Sequence, residues 1–147
     1  MNNNDDTIDI DSLLNALDNE DNESLLHIDT QKMKAIKNDM LQKLNLSREK
    51  LKKFHKQLSD YRYVDEINEI KYGSYIRWIS LKNPENIRIT NGGIVCDILV
   101  KQDCIHIVCR NNMHRFFQIK MIENMIFQKL TDQERVLLSV MDYLNTN

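Results

Sequence analysis

Ile94-Val95-Cys96-Asp97-Ile98-Leu99-Val100-Lys101-Gln102-Asp103-Cys104-Ile105-His106-Ile107-Val108-Cys109-Arg110 is the stretch that decides the fold. Two apolar runs rich in β-branched residues flank the two residues Gln102-Asp103, the pattern of a tight hairpin. A two-residue loop pairs Val100 with Ile105, Ile98 with Ile107 and Cys96 with Cys109. That register puts all six on one face, as a core requires, and turns Cys104 and His106 to the other.

Working outward, the apolar period stays at two from Tyr72 to Leu130. Strands are expected over residues 74–81, 87–90, 94–100, 105–110, 115–121 and 126–130. Asn83-Pro84-Glu85-Asn86, Asn91-Gly92-Gly93 and the polar run 111–114 punctuate them. Short strands at close spacing fit a small antiparallel meander that curls into a barrel or half-barrel. Thr131-Asp132-Gln133-Glu134 is a capping box. The helix it opens sets Leu137, Val140, Met141 and Leu144 on one side, expected to close the sheet.

Upstream, Met40, Leu44, Leu51, Phe54, Leu58 and Tyr61 recur at helical spacing, with lysines on the other faces. Asn45-Leu46-Ser47 reads as a helix end and a new N-cap, so one bent helix or two consecutive helices fit. Residues 1–30 hold nine acidic residues and no Lys or Arg, giving −9. Residues 31–62 hold ten basic and three acidic residues, giving +7, and residues 63–147 balance at ten of each. The first thirty residues have only short apolar clusters, too little burial to offset chain entropy, and are expected to be disordered when alone. The expected class is therefore α+β. A disordered acidic tail (1–30) precedes a Lys-rich amphipathic helical segment (31–64) and a small β-domain with a C-terminal helix (65–147).

No run of apolar residues is long enough to span a membrane, and no basic and apolar leader opens the chain. Three cysteines form no disulfide framework, so a reducing compartment, cytosol or nucleus, is expected. Cys96, Cys104, His106, Cys109 and His114 invite a zinc reading. The chain has no Cys-x₂-Cys pair, however, and the hairpin register points these side chains apart. A nucleophilic Cys104–His106 pair is equally poor, because residues two apart on a strand run parallel and seldom meet. Gly92-Gly93 matches no phosphate-cradling pattern. Neither a cofactor nor an enzymatic activity is expected.

Two binding readings remain. Asp11-Ser12-Leu13-Leu14 and Glu23-Ser24-Leu25-Leu26 repeat an acidic-Ser-Leu-Leu element, and Leu17 extends the first. Leu13, Leu14, Leu17, Leu25 and Leu26 are thus candidates for docking into a protein partner's apolar groove. This makes the leading expectation a protein-binding or assembly module, its oligomeric state left open. The alternative is nucleic acid. Lys50, Lys52, Lys53 and Lys56 crowd two helical turns, and Tyr75, Arg77, Arg110, Arg115 and Lys120 interleave rings and cations on the strands.

The runs Tyr72–Ile79, Asn91–Asp97, Arg115–Lys120 and Ile126–Thr131 also resemble small uncharacterised proteins of large nucleocytoplasmic DNA viruses. The resemblance covers roughly the second half of the chain. It implies a product of infected cytoplasm, or a minor virion component, and carries no mechanistic signature. The strand order further resembles SH3-like small barrels, an analogy of fold alone.

Overall fold

The hairpin forms around Gln102 and Asp103, both at positive φ (51° and 61°), the geometry of a two-residue turn that matches strand twist. The computed structural model describes residues 10–25 and 28–146. Four helices occur among them, α1 (Ile10–Asp18), α2 (Thr30–Gln42), α3 (Arg48–Gln57) and α4 (Asp132–Thr146). Six strands accompany them: β1 (Tyr61–Val64), β2 (Tyr75–Ser80), β3 (Gly93–Lys101), β4 (Cys104–Arg110), β5 (Phe116–Lys120) and β6 (Asn124–Lys129). The strands form one open antiparallel sheet in the order β1-β6-β2-β3-β4-β5. The chain is α+β, as its periodicities require.

Residues 35–129 form one unit, and residues 1–34 with 130–147 form another. In the first, both faces of the sheet are apolar. Leu41 of α2 and Phe54 and Leu58 after it pack on Ile79, Met125 and Phe127. The opposite face gathers Val64, Ile76, Trp78, Val95, Ile107, Cys109 and Ile126, with Ile119 against them. Val64 belongs to one edge of the sheet and Ile119 to the other, so the sheet curls into a trough around this core. Of the two alternatives for this segment, two consecutive helices form: Asn45 takes φ 54°, and the Ser47 side chain accepts the Lys50 N–H as N-cap.

Three expectations change here. Tyr61 does not end a helical stripe; it opens β1, because the segment 61–64 pairs with β6. Buried Lys37 closes the preceding helix, donating to the carbonyls of Leu58 and Tyr61 at 2.7 and 2.9 Å. Residues 87–90 form no strand and contribute only the bridge of Ile89 to Ile79. β3 already occupies the edge of β2 at Tyr75 and Ile76, so no full ladder is left for them. Cys96 and Val100 are exposed rather than in the core. The β3–β4 register slips between Val95 and Asp97, and Val95, not Cys96, faces Cys109. This bulge spends one extra residue so that Val95 and Ile98 both point inward although three apart.

In the other unit, the acidic stretch is ordered from Ile10 to Leu25 by packing on the chain's own C-terminal helix. Ala16 and Leu25 are buried against Leu137, with Leu13 beside them. For Leu13 and Leu25, two of the leucines that the sequence reserved for another protein, the partner is thus supplied by α4, which helps offset the ordering entropy. Residues 1–9 of the expected disordered tail lie outside the described residues. The capping box forms as expected, with Thr131 N–H donating to Glu134 and Glu134 N–H to Thr131 Oγ1 at 2.9 and 3.1 Å. α4 buries Leu137 and Leu138, whereas Leu144 is exposed. No helix among the described residues is long and apolar enough to cross a membrane.

Candidate nucleic-acid interface

Cross-strand partners in an antiparallel sheet share a face. Tyr75 lies opposite Ile94, Ile94 opposite Arg110, and Arg110 opposite Phe116. On the other side of β2, Ile76 pairs with Gln128, so the next residue, Lys129, continues the row beside Tyr75, and Lys129 faces Tyr61. One line of side chains thus crosses all six strands: Tyr61, Lys129, Tyr75, Ile94, Arg110, Phe116. At about 4.8 Å per strand the line runs for an arc of about 24 Å. Lys129, Ile94, Arg110 and Phe116 are exposed, and the two tyrosines are half-buried.

Arg77 stands two residues along β2 on the same face, opposite Phe127. Its Nε donates to the Thr90 carbonyl at 2.8 Å, and the Tyr75 hydroxyl donates to the Asn91 carbonyl at 2.5 Å. Both acceptors belong to the turn between β2 and β3. That turn needs its glycine. Gly92 has φ 81°, and a Cβ there would stand 2.1 Å from the Ile76 carbonyl oxygen. Tyr61, Tyr75, Arg77, Asn91, Asn112 and Lys129 enclose a shallow groove of about 440 Å³. Burial pushes the phenol of Tyr61 above its usual range and the charge of Arg77 pulls it back, so this ring is neutral.

The other sequence candidates distribute unevenly. Arg115 is exposed in the turn next to Phe116, where its N–H donates to Asn111 Oδ1. Lys120 lies at the far end of β5, opposite His106 and 3.8 Å from Glu123, and does not join the row. Lys50, Lys52, Lys53 and Lys56 are exposed on α3. α3 packs through Phe54 on Phe127 and Ile79, which share the face of Arg77. Burial first, and then Lys37, lower the affinity of His55 for a proton; its Nε2 meets Asn38 Oδ1 at 2.9 Å.

The helix, strand and turn parts of the basic patch all fall in residues 35–129, which hold seventeen Lys and Arg against ten Asp and Glu. That unit carries +7, whereas residues 1–34 with 130–147 carry −9. The balanced charge of residues 63–147 concealed this, because three of its acidic residues lie beyond residue 129.

Of the docking leucines, Leu25 is buried and Leu13 half-buried, while Leu14 and Leu17 are exposed. Leu26 lies outside the described residues. Among the cysteines, burial, and then Cys96, push the Cys109 thiol up to about 12. His106 Nδ1 is 2.9 Å from Gln118 Nε2. Among the described residues no group of three His, Cys, Asp or Glu is placed to hold a metal ion.

Sequence reasoning missed Lys129, Ile94 and the strand role of Tyr61. The alternation Tyr61-Arg62-Tyr63-Val64 was the available signal, overridden by the helical stripe that ends on it. No family model, curated protein or solved structure matches this chain.

Proposed function

We propose that this chain is a non-enzymatic binding protein that holds single-stranded nucleic acid across the sheet face of residues 35–129. The observation that carries this reading is the row Lys129, Tyr75, Ile94, Arg110 and Phe116, with Arg77 beside it, in a unit of charge +7. Rings and an aliphatic side chain offer sequence-tolerant stacking surfaces, and the flanking cations meet phosphates. Tyr75 and Arg77 are held in place by main-chain carbonyls before any ligand arrives, which lowers the ordering cost of binding. The lysines of α3 add a non-specific electrostatic footing.

The test is anisotropy of a labelled oligothymidine titrated with the full chain over a range of salt. Lys129 and Arg110 of the row and Arg77 beside it, at about 0.7 each, give a log–log salt slope of roughly −2, which the α3 lysines steepen further. Arg110→Ala should flatten the slope by about 0.7, while Phe116→Ala should weaken binding about tenfold and leave the slope alone. Binding that is absent at low salt, or indifferent to salt, refutes the reading.

A second reading is favoured by a separate observation. Ile10, Leu14 and Leu17, at helical spacings of four and three, stay exposed on α1 at 70%, 53% and 45%. An assembly module engaging a protein through that stripe accounts for them, and its binding would survive added salt.

A further inference from the structure

The row of rings and cations occupies one end of the sheet. At the other end, β1 finishes at Val64, β2 at Ser80, β3 at Lys101 and β5 at Lys120, while β4 begins at Cys104 and β6 at Asn124. This is the open rim of the sheet, and the cleft there is a mouth shared by its two faces: Met40, Tyr63 and Met125 belong to the face that α2 and α3 cover, and Met121 to the trough. A cavity of about 430 Å³ lies there, lined mainly by Met40, Tyr63, Leu81, Met121, Ile122 and Met125. Pockets of roughly 300–1,000 Å³ with an apolar lining and a few placed polar groups are the usual form of small-molecule sites.

Three features of this mouth go beyond a gap in packing. Three of its side chains are methionines, whose unbranched thioethers adapt to differently shaped apolar ligands. Ile122 and Leu81 remain 80% and 43% exposed beside the cavity, so apolar surface continues outward from it. The polar side is acidic: Asp65 and Asp103 both line the mouth and are exposed, and no cation pairs with either among the described residues. Asp103 is fixed there by the hairpin turn, at φ 61°.

We propose that this mouth binds a small amphiphile, its apolar part among the methionines and a cationic head between Asp65 and Asp103. Charge selects the ligand class, because an anionic head would meet two carboxylates, whereas an ammonium meets opposite charge at the edge of an apolar cavity. The site is separate from the nucleic-acid row and stands whether or not that row binds nucleic acid.

The experiment uses the full chain labelled with ¹³C at the methionine methyls, titrated with n-octylammonium, n-octanoate and n-octanol at concentrations below self-association. The expected result is saturable shifts of the Met40, Met121 and Met125 signals with octylammonium, while Met33 and Met113 stay put. Octanoate should bind about tenfold more weakly. Asp65→Asn with Asp103→Asn, two surface changes that leave the core intact, should remove the preference for octylammonium and leave octanol binding unchanged. The proposal is overturned by no saturable shift at the three mouth methyls, by equal shifts at all methionines, or by octanoate binding as well as octylammonium. Mouth signals that move on simple dilution overturn it too, because the occupant is then a second copy of the chain.

Discussion

Replacing Gly92 by Ala perturbs fold and site through a single methyl group. Gly92 sits at φ 81°, where an L-residue carries a steric penalty of about 1–2 kcal/mol. The added Cβ would also lie 2.1 Å from the Ile76 carbonyl oxygen and 3.0 Å from Arg77 Cγ. Arg77 can swing aside. Ile76 cannot, since it is fully buried and its strand pairs on both sides, with Gly93 and with Gln128. The turn must move instead, at an overpacking cost of about 1–3 kcal/mol. The total, about 2–5 kcal/mol, is a large share of a domain's stability. Gly73→Ala is the matched control: φ there is 82°, but nothing stands within 4 Å of the new Cβ, so only the backbone penalty applies. Urea unfolding followed by fluorescence of Trp78, the chain's single tryptophan and part of the trough core, measures both variants. Displacing the turn also moves the Thr90 and Asn91 carbonyls that hold Arg77 and Tyr75, so Gly92→Ala should lose oligonucleotide affinity under conditions where it remains folded. If Gly92→Ala destabilises no more than Gly73→Ala, the close approach of β3 to β2 is not as described and the geometry of the row falls with it.

Ser47→Ala removes the side chain that accepts the Lys50 N–H and should cost about 1 kcal/mol in urea unfolding; an unchanged midpoint would deny the cap. Thiol labelling of the folded chain at pH 8 should stop at two equivalents, Cys96 and Cys104, because the buried Cys109 thiol is pushed up to about 12; a fast third equivalent would contradict the core. His55 gives a pH signature. Burial and Lys37 hold its folded pKa below the ordinary 6.5, so on acidification the unfolded chain takes up the proton first. Its contribution to stability is complete above about pH 6.5 and declines as pH falls below that value. His55→Gln should flatten this part of the stability profile, and an unaltered profile would show that another group causes it.

Short-range chemistry was legible in the chain because its energetics are complete within a few residues. The Gln102-Asp103 turn, the Ser47 cap, the Thr131–Glu134 box and the pairing of Val100 with Ile105 all form as the sequence dictates. The same holds for the α+β class, whereas the switch from helical to strand period falls at Tyr61 and not at Tyr72. The candidate site was half legible. Tyr75, Arg77 and Arg110 could be named from residue type, but nothing local sets them abreast.

Tertiary structure decided what depends on partners distant in the chain. Residues 61–64 become a strand only because β6, some sixty residues later, slots between β1 and β2 and offers its hydrogen bonds. The bulge at Cys96 is chosen by the core, which is better filled by Val95 and Ile98 than by the alternation the sequence presents. Leu25 is taken from a prospective partner by Leu137, a contact across more than a hundred residues. The row itself exists because strand order and register carry Lys129, Tyr75, Ile94, Arg110 and Phe116 to the same height. A one-residue slip in any pair would turn part of it to the other face.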